Sequence, residues 1–125
     1  MLERGESSQK AAIRETNEEL GIKPQGINII GPLTPFYIPV SGFNVFPFVG
    51  WIAKCPTLEI QSKEVSKVFA PSVPSLISPQ SKKIKKFTML GQEVEIPYFN
   101  LNNEIVWGAT SMILSEFKCI LEGIE

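Results

Sequence analysis

The first regular pattern along the chain is helical and lies near its N-terminus. Residues 9–20 are rich in good helix formers, Ser7 or Ser8 suits the N-cap position, and Gly21 lies just past the end, with Pro24 preventing continuation. Small and apolar side chains recur at helical spacing and form one narrow stripe: Ala12, Ile13, Thr16 and Leu20. The pattern predicts a helix over 9–20 that packs this stripe on a sheet.

The residues after this helix have the alternation and turn signals of strands. Strands or extended segments are predicted, in order, at 27–31, 33–38, 43–53 and 64–70. The third of these is long and apolar enough to be largely buried, although Pro47 interrupts it. A loop with one helical turn is expected over 71–79.

The C-terminal third predicts a hairpin followed by a helix. Residues 82–90 and 93–99 alternate on either side of a turn at Gly91-Gln92, and Leu101-Asn102-Asn103 forms a second turn. Four lysines between Lys82 and Lys86 indicate a solvated strand edge rather than a phosphate site. A last helix opens at Gly108 or Thr110. A sheet with helices on both faces gives an α/β fold, an α/β/α sandwich with a mixed sheet.

Composition limits the class of protein and the chemistry available. With 125 residues, 43% of them hydrophobic, one globular domain over 1–125 is expected, and a net charge of −1 gives no electrostatic case for nucleic acid or membrane. Two cysteines far apart in sequence favour reduced thiols and a cytoplasmic location. The absence of histidine excludes His-based triads and His–metal sites. Hydrolysis would therefore depend on carboxylates, a metal or Lys.

Three carboxylates share one arc of the N-terminal helix. Glu15, Glu18 and Glu19 lie at like-charge neighbour spacings, each costing roughly 0.2–0.5 kcal/mol, and the last two lie in the final turn, where the helix dipole favours cations. Clustered carboxylate oxygens suit Mg²⁺ or Mn²⁺. The alternative is a solvated acidic face with Arg14 as a partial partner.

The spacing of these residues resembles the Nudix box of the Nudix hydrolases. Glu6 is followed after seven residues by Arg-Glu-x-x-Glu-Glu-x-Gly-Ile, and the matching positions are Glu6, Arg14, Glu15, Glu18, Glu19, Gly21 and Ile22. The resemblance implies the Nudix fold, with Glu15, Glu18 and Glu19 as metal ligands and Arg14 paired with Glu6. Within the box, Arg14, Glu15 and Glu18 would be the catalytic residues. The resemblance also implies a further catalytic Glu outside the box, for which Glu64 is the candidate.

The rest of the chain resembles the coenzyme A diphosphatase branch of that family. Segments 38–50, 64–69 and 105–110 carry this resemblance, whereas Lys67 stands where an acidic residue is common, and the branch's upstream coenzyme A signature is missing. The resemblance implies Mg²⁺- or Mn²⁺-dependent hydrolysis of a nucleoside diphosphate derivative, with coenzyme A favoured. The alternatives are an ADP-ribose or dinucleotide pyrophosphatase and a catalytically silent binding module.

The start of the chain falls inside the motif. The Gly that opens the box would lie one residue before Met1, and one or two strands would precede it, so we expect an N-terminally truncated domain. Without those strands a sheet edge is exposed, which favours a homodimer through that edge and a weakened metal site.

Overall fold

The computed structural model of the chain describes residues 5–54, 58 and 68–124. This part contains three α-helices: α1 (Ser8–Leu20), α2 (Val73–Ile77) and α3 (Gly108–Glu122). Its strands are β1 (Asn28–Pro32), β2 (Phe36–Ile38), β3 (Phe43–Val45), β4 (Phe48–Trp51), β5 (Lys82–Met89), β6 (Gln92–Leu101) and β7 (Glu104–Val106). The α/β class is confirmed. The chain divides into two compact units, residues 1–68 and 69–125, which are described in turn.

Helix α1 begins and ends where its capping residues predict. The Ser7 side chain accepts a hydrogen bond from the Lys10 backbone N–H at 3.2 Å, which satisfies one of the free donors of the first turn. Gly21 adopts a left-handed conformation with φ 73°, and its N–H donates to the Asn17 carbonyl at 2.9 Å. The helix therefore has a defined start and end.

The apolar stripe of α1 faces the sheet formed by β1 and β4. Ala12, Ile13 and Thr16 line a cleft of about 250 Å³ together with residues of that sheet, among them Phe48 and Trp51. Three of the four predicted stripe residues thus lie beside this sheet, lining the cleft. The acidic residues of the helix lie on the adjacent arc.

The strands of the first unit form two separate antiparallel pairs, β1 with β4 and β2 with β3. The prediction of one long, largely buried strand over 43–53 is wrong. Pro47 lies between β3 and β4, and its carbonyl accepts from the Leu33 N–H at 2.9 Å, outside either ladder. Phe43 is 53% exposed, because a two-stranded sheet cannot bury both of its faces.

The second unit is built on an antiparallel sheet in the order β5-β6-β7, with β5 at one edge as its lysines predict. Met89 pairs with Gln92, so the first turn consists of Leu90 and Gly91, one residue earlier than predicted. Both have positive φ, 53° and 76°, as a type I′ turn requires. The turn geometry thus fixes the register of β5 against β6, and Gly91 occupies the second position of the turn.

The core of the second unit lies on one face of this sheet. Phe99 and Leu101 of β6 are fully buried with Leu76 of α2. Partly buried side chains packed against them are Phe69, Val106, Leu114, Phe117 and Leu121, three of which come from α3. Helix α3 starts at Gly108, one of the two predicted positions, and packs Leu114, Phe117 and Leu121 against this core.

Two predictions fall partly or wholly outside the described residues. Of the strand predicted over 64–70, only residues 68–70 are described, and they are not in a strand. Glu64 and Cys55 lie outside the described residues, whereas Cys119 carries a free, exposed thiol. The predicted helical turn within 71–79 is present as α2, with Ser72 as its N-cap.

Candidate active site on helix α1

The charged side of α1 is organised by Arg14. Its Nε donates to Glu6 Oε2 at 2.9 Å and its Nη2 donates to Glu6 Oε1 at 3.1 Å, which is a bidentate pair. The two side chains are only 25% and 14% exposed. The pairing of Arg14 with Glu6 that the resemblance implies is confirmed, and it ties the segment before the helix to the middle of the helix.

The same guanidinium reaches two of the predicted metal ligands. Arg14 Nη1 lies 3.1 Å and 3.0 Å from the two carboxylate oxygens of Glu18, one turn further along α1. Its Nη2 lies 3.6 Å from Glu15 Oε1. One cation therefore faces three carboxylates, and it offsets part of the repulsion that the sequence places on this arc.

Glu19 differs from its neighbours. Within the part of the chain that the structure describes, its carboxylate forms no hydrogen bond or ion pair, and its residue is half-buried. Glu15 and Glu19 are one helical turn apart, so their side chains leave the helix on the same side. Of the three carboxylates, Glu19 is the one whose oxygens no described cation neutralises.

The residue types on this arc suit a hard divalent cation. Carboxylate oxygens are the ligands that Mg²⁺ and Mn²⁺ prefer. Among the described residues, no three His, Cys, Asp or Glu side chains come together as a group that would hold a metal ion. This arrangement still fits Mg²⁺, which is usually held by one or two carboxylates, with waters and substrate phosphates completing the shell.

Comparison with known proteins identifies the family. The family model of the NUDIX domain matches residues 1–94, about three quarters of the chain and all of α1. The chain belongs to the Nudix family. The strands that follow α1, up to the turn of the β5–β6 hairpin, thus lie within the Nudix match.

Curated Nudix relatives are similar over most of the chain. Nudix hydrolase 3 of Caenorhabditis elegans is 30% identical over 136 residues, which cover 96% of this chain and 57% of that protein. An uncharacterized Nudix hydrolase NudL of Photorhabdus laumondii is 27% identical over 105 residues, which cover 84% of this chain and 56% of that protein. A NudL protein of Salmonella paratyphi B is 32% identical over 106 residues, which cover 85% of this chain and 55% of that protein. The chain thus spans just over half the length of these relatives.

The structure brings four predicted site residues of this Nudix domain together on α1. Arg14, Glu15 and Glu18 form one charged group with Glu6, and Glu19 lies beside them on the helix. Glu64 lies outside the described residues, so its catalytic role stays a prediction.

Sequence reasoning missed a second feature, an apolar cavity of about 430 Å³ on the β5–β7 sheet. The alternation of Lys85, Phe87 and Met89 puts these residues on one face of a strand, but it does not give the strand pairing that forms the cavity.

None of the described helices is both long and apolar enough to cross a membrane.

Proposed function

We propose that this Nudix domain hydrolyses the diphosphate bond of a nucleoside diphosphate derivative with the help of Mg²⁺ or Mn²⁺. The observation that supports this best is the charged group on α1, in which Glu6 fixes Arg14 and Arg14 contacts Glu18 and Glu15. Like charges on one helix face lower the stability of the helix, and a bound cation would offset that loss. The Nudix match over residues 1–94 supports the same function.

Each residue of the group has a distinct role in this proposal. Glu15 and Glu19 hold the cation, with Glu18 as the third predicted ligand. When bound, the cation polarises phosphoryl oxygens and lowers the pKa of bound water. Arg14 is a positioning residue, because its contacts fix the carboxylates of Glu18 and Glu15 relative to the helix. In this proposal Glu18, whose side chain is exposed, accepts a proton from water.

Coenzyme A and its derivatives are the substrates that we propose, giving 3′,5′-ADP and 4′-phosphopantetheine. The support comes from the resemblance of segments 38–50 and 105–110 to the coenzyme A diphosphatase branch. ADP-ribose or a dinucleotide is the alternative substrate class. Reduced thiols favour a cytoplasmic enzyme.

The substrate is tested by product analysis of coenzyme A and ADP-ribose incubated with Mn²⁺. The assay uses this chain. Release of 3′,5′-ADP supports the proposal. Cleavage of ADP-ribose alone would keep the Nudix chemistry and refute the coenzyme A assignment.

A catalytically silent binding module is the second candidate. It is favoured by one observation: both oxygens of Glu18 already face Arg14, so that carboxylate is neutralised without a metal. Mn²⁺ binding followed by electron paramagnetic resonance separates the two candidates without relying on turnover. The enzyme reading predicts saturable binding that is weakened in both Glu15→Gln and Glu19→Gln and unchanged in Glu122→Gln, which removes a carboxylate from α3 instead. Equal binding in all four proteins would favour the silent module.

A homodimer through an exposed sheet edge remains part of the proposal. Strand β5 is the edge least suited to it, because its four lysines would face the same charges in a second copy. A mass of one chain by light scattering at all concentrations would exclude the homodimer.

A further inference from the structure

The β5–β7 sheet has two chemically different faces. Opposed residues of an antiparallel pair share a face, and faces alternate along each strand. Phe99 and Leu101 therefore mark the core face, and Lys85, opposite Ile96, marks the other. The Lys85 Nζ lies 5.1 Å from the Phe87 ring centroid, which agrees with a shared face for these two residues. We call this second face the groove face.

The groove face carries a cavity of about 430 Å³ within the second unit. Its apolar lining consists of Phe87, Met89, Ile96, Tyr98, Ile105 and Trp107. Trp107 is 64% exposed, although its indole ring presents a large hydrophobic surface. Small-molecule sites typically have volumes of about 300–1,000 Å³ and a predominantly apolar lining, and this cavity falls in that range.

Charge is distributed unequally between the two faces. The register places Lys83 opposite Tyr98 and Lys85 opposite Ile96, so both lysines project from the groove face. The carboxylates of the three strands all alternate onto the core face: Glu93, Glu95 and Glu104. In this sheet the groove face therefore has two cations and no strand carboxylate to neutralise them.

We propose that the groove face binds a small planar organic anion, an aryl group carrying one anionic substituent. Three aromatic side chains, Phe87, Tyr98 and Trp107, offer ring faces and edges for the aryl group. Lys85 lines the cavity and complements the anion, and Lys83, two residues away on the same face of β5, adds a second positive charge. The surface is concave, which suits a small molecule better than a flat membrane surface. This site is additional to the acidic helix and does not depend on diphosphate hydrolysis.

The test compares two fluorescent probes that differ chiefly in charge. Anilinonaphthalene sulfonate is an aryl anion, and N-phenyl-1-naphthylamine is its neutral counterpart. Titrations use the Trp51→Phe variant, because Trp107 is then the only tryptophan and reports on the groove face by energy transfer to the dye. We expect one saturable sulfonate site per chain. Lys85→Gln should weaken sulfonate binding by roughly threefold, and the double variant Lys83→Gln/Lys85→Gln by roughly tenfold, as expected for partly exposed ion contacts. Neither variant should change the binding of the neutral probe.

The matched control is Lys86→Gln, which removes the same charge from the next residue, on the core face. Equal weakening by Lys85→Gln and Lys86→Gln would overturn the proposal, because only net charge would then matter. Equal loss of both probes in Lys85→Gln would overturn it too, since packing rather than anion contact would be responsible. The protein could instead sediment with anionic phosphatidylglycerol vesicles and lose probe binding when the vesicles are present. That result would overturn the proposal and assign the groove face to a membrane surface.

Discussion

The ion pair between Arg14 and Glu6 gives the sharpest prediction about stability. Replacing Glu6 with Gln keeps the shape of the side chain and removes the charge that receives both Arg14 donors, at 2.9 and 3.1 Å. The guanidinium would then be half-buried with a weaker partner. The change should therefore destabilise the N-terminal end of α1 as well as the placement of Arg14.

The size of the effect follows from burial and geometry. Exposed ion pairs contribute about 0.2–1 kcal/mol, whereas hydrogen bonds to charged groups contribute about 1.5–3 kcal/mol when partly buried. With side chains 25% and 14% exposed, we expect a coupling energy of about 2 kcal/mol between Arg14 and Glu6. The chain provides an exposed comparison in Lys86–Glu93, at 3.5 Å with side chains 66% and 64% exposed, for which we expect about 0.3 kcal/mol.

The assay is a pair of double-mutant cycles measured by urea unfolding. Glu6→Gln and Arg14→Gln are combined in a Trp107→Phe background, in which Trp51 reports on the first unit. Lys86→Gln and Glu93→Gln are combined in the Trp51→Phe background, in which Trp107 reports on the second. A coupling energy for Arg14–Glu6 no larger than that of Lys86–Glu93 would refute the reasoning.

Five further substitutions test the fold. Leu90→Asn should raise the free energy of unfolding by about 1 kcal/mol, and Asn102→Leu should lower it by a similar amount. The reason is that a left-handed backbone conformation costs an ordinary L-residue about 1–2 kcal/mol. A lower Tm for Leu90→Asn would contradict the turn assignment. Ser7→Ala should cost about 1 kcal/mol in urea unfolding, and no loss would show the cap to be dispensable. Phe99→Ala should cost about 3–5 kcal/mol, and a comparable cost for Phe43→Ala would mean that the exposed hairpin is packed as well.

The helices could be predicted well because their signals are local. Ser7 and Gly21 act on neighbouring backbone groups, so the ends of α1 follow from sequence alone. The same holds for the second hairpin turn, where Asn102 and Asn103 tolerate positive φ. Motif spacing likewise identified the family before any geometry was known.

Burial and the first hairpin turn could not be predicted as well. The apolar run over 43–53 indicated a buried strand, but whether it is covered depends on which strands pair with it and on Pro47. Leu90 is a poor residue for a positive φ, so the turn was expected one position later. The groove face requires the register of β5 against β6, which sequence alternation does not supply.

The measurement that tests the central claim most directly is Mn²⁺-dependent cleavage of coenzyme A by this chain, compared with its Glu19→Gln and Glu122→Gln variants. We expect 3′,5′-ADP from the parent and from Glu122→Gln. Glu19→Gln should be slower by at least about 100-fold with an unchanged circular dichroism spectrum, since removing a direct ligand should cost at least as much as removing an outer-shell partner. Equal turnover by Glu19→Gln and the parent would contradict the assignment of α1 as the catalytic metal face.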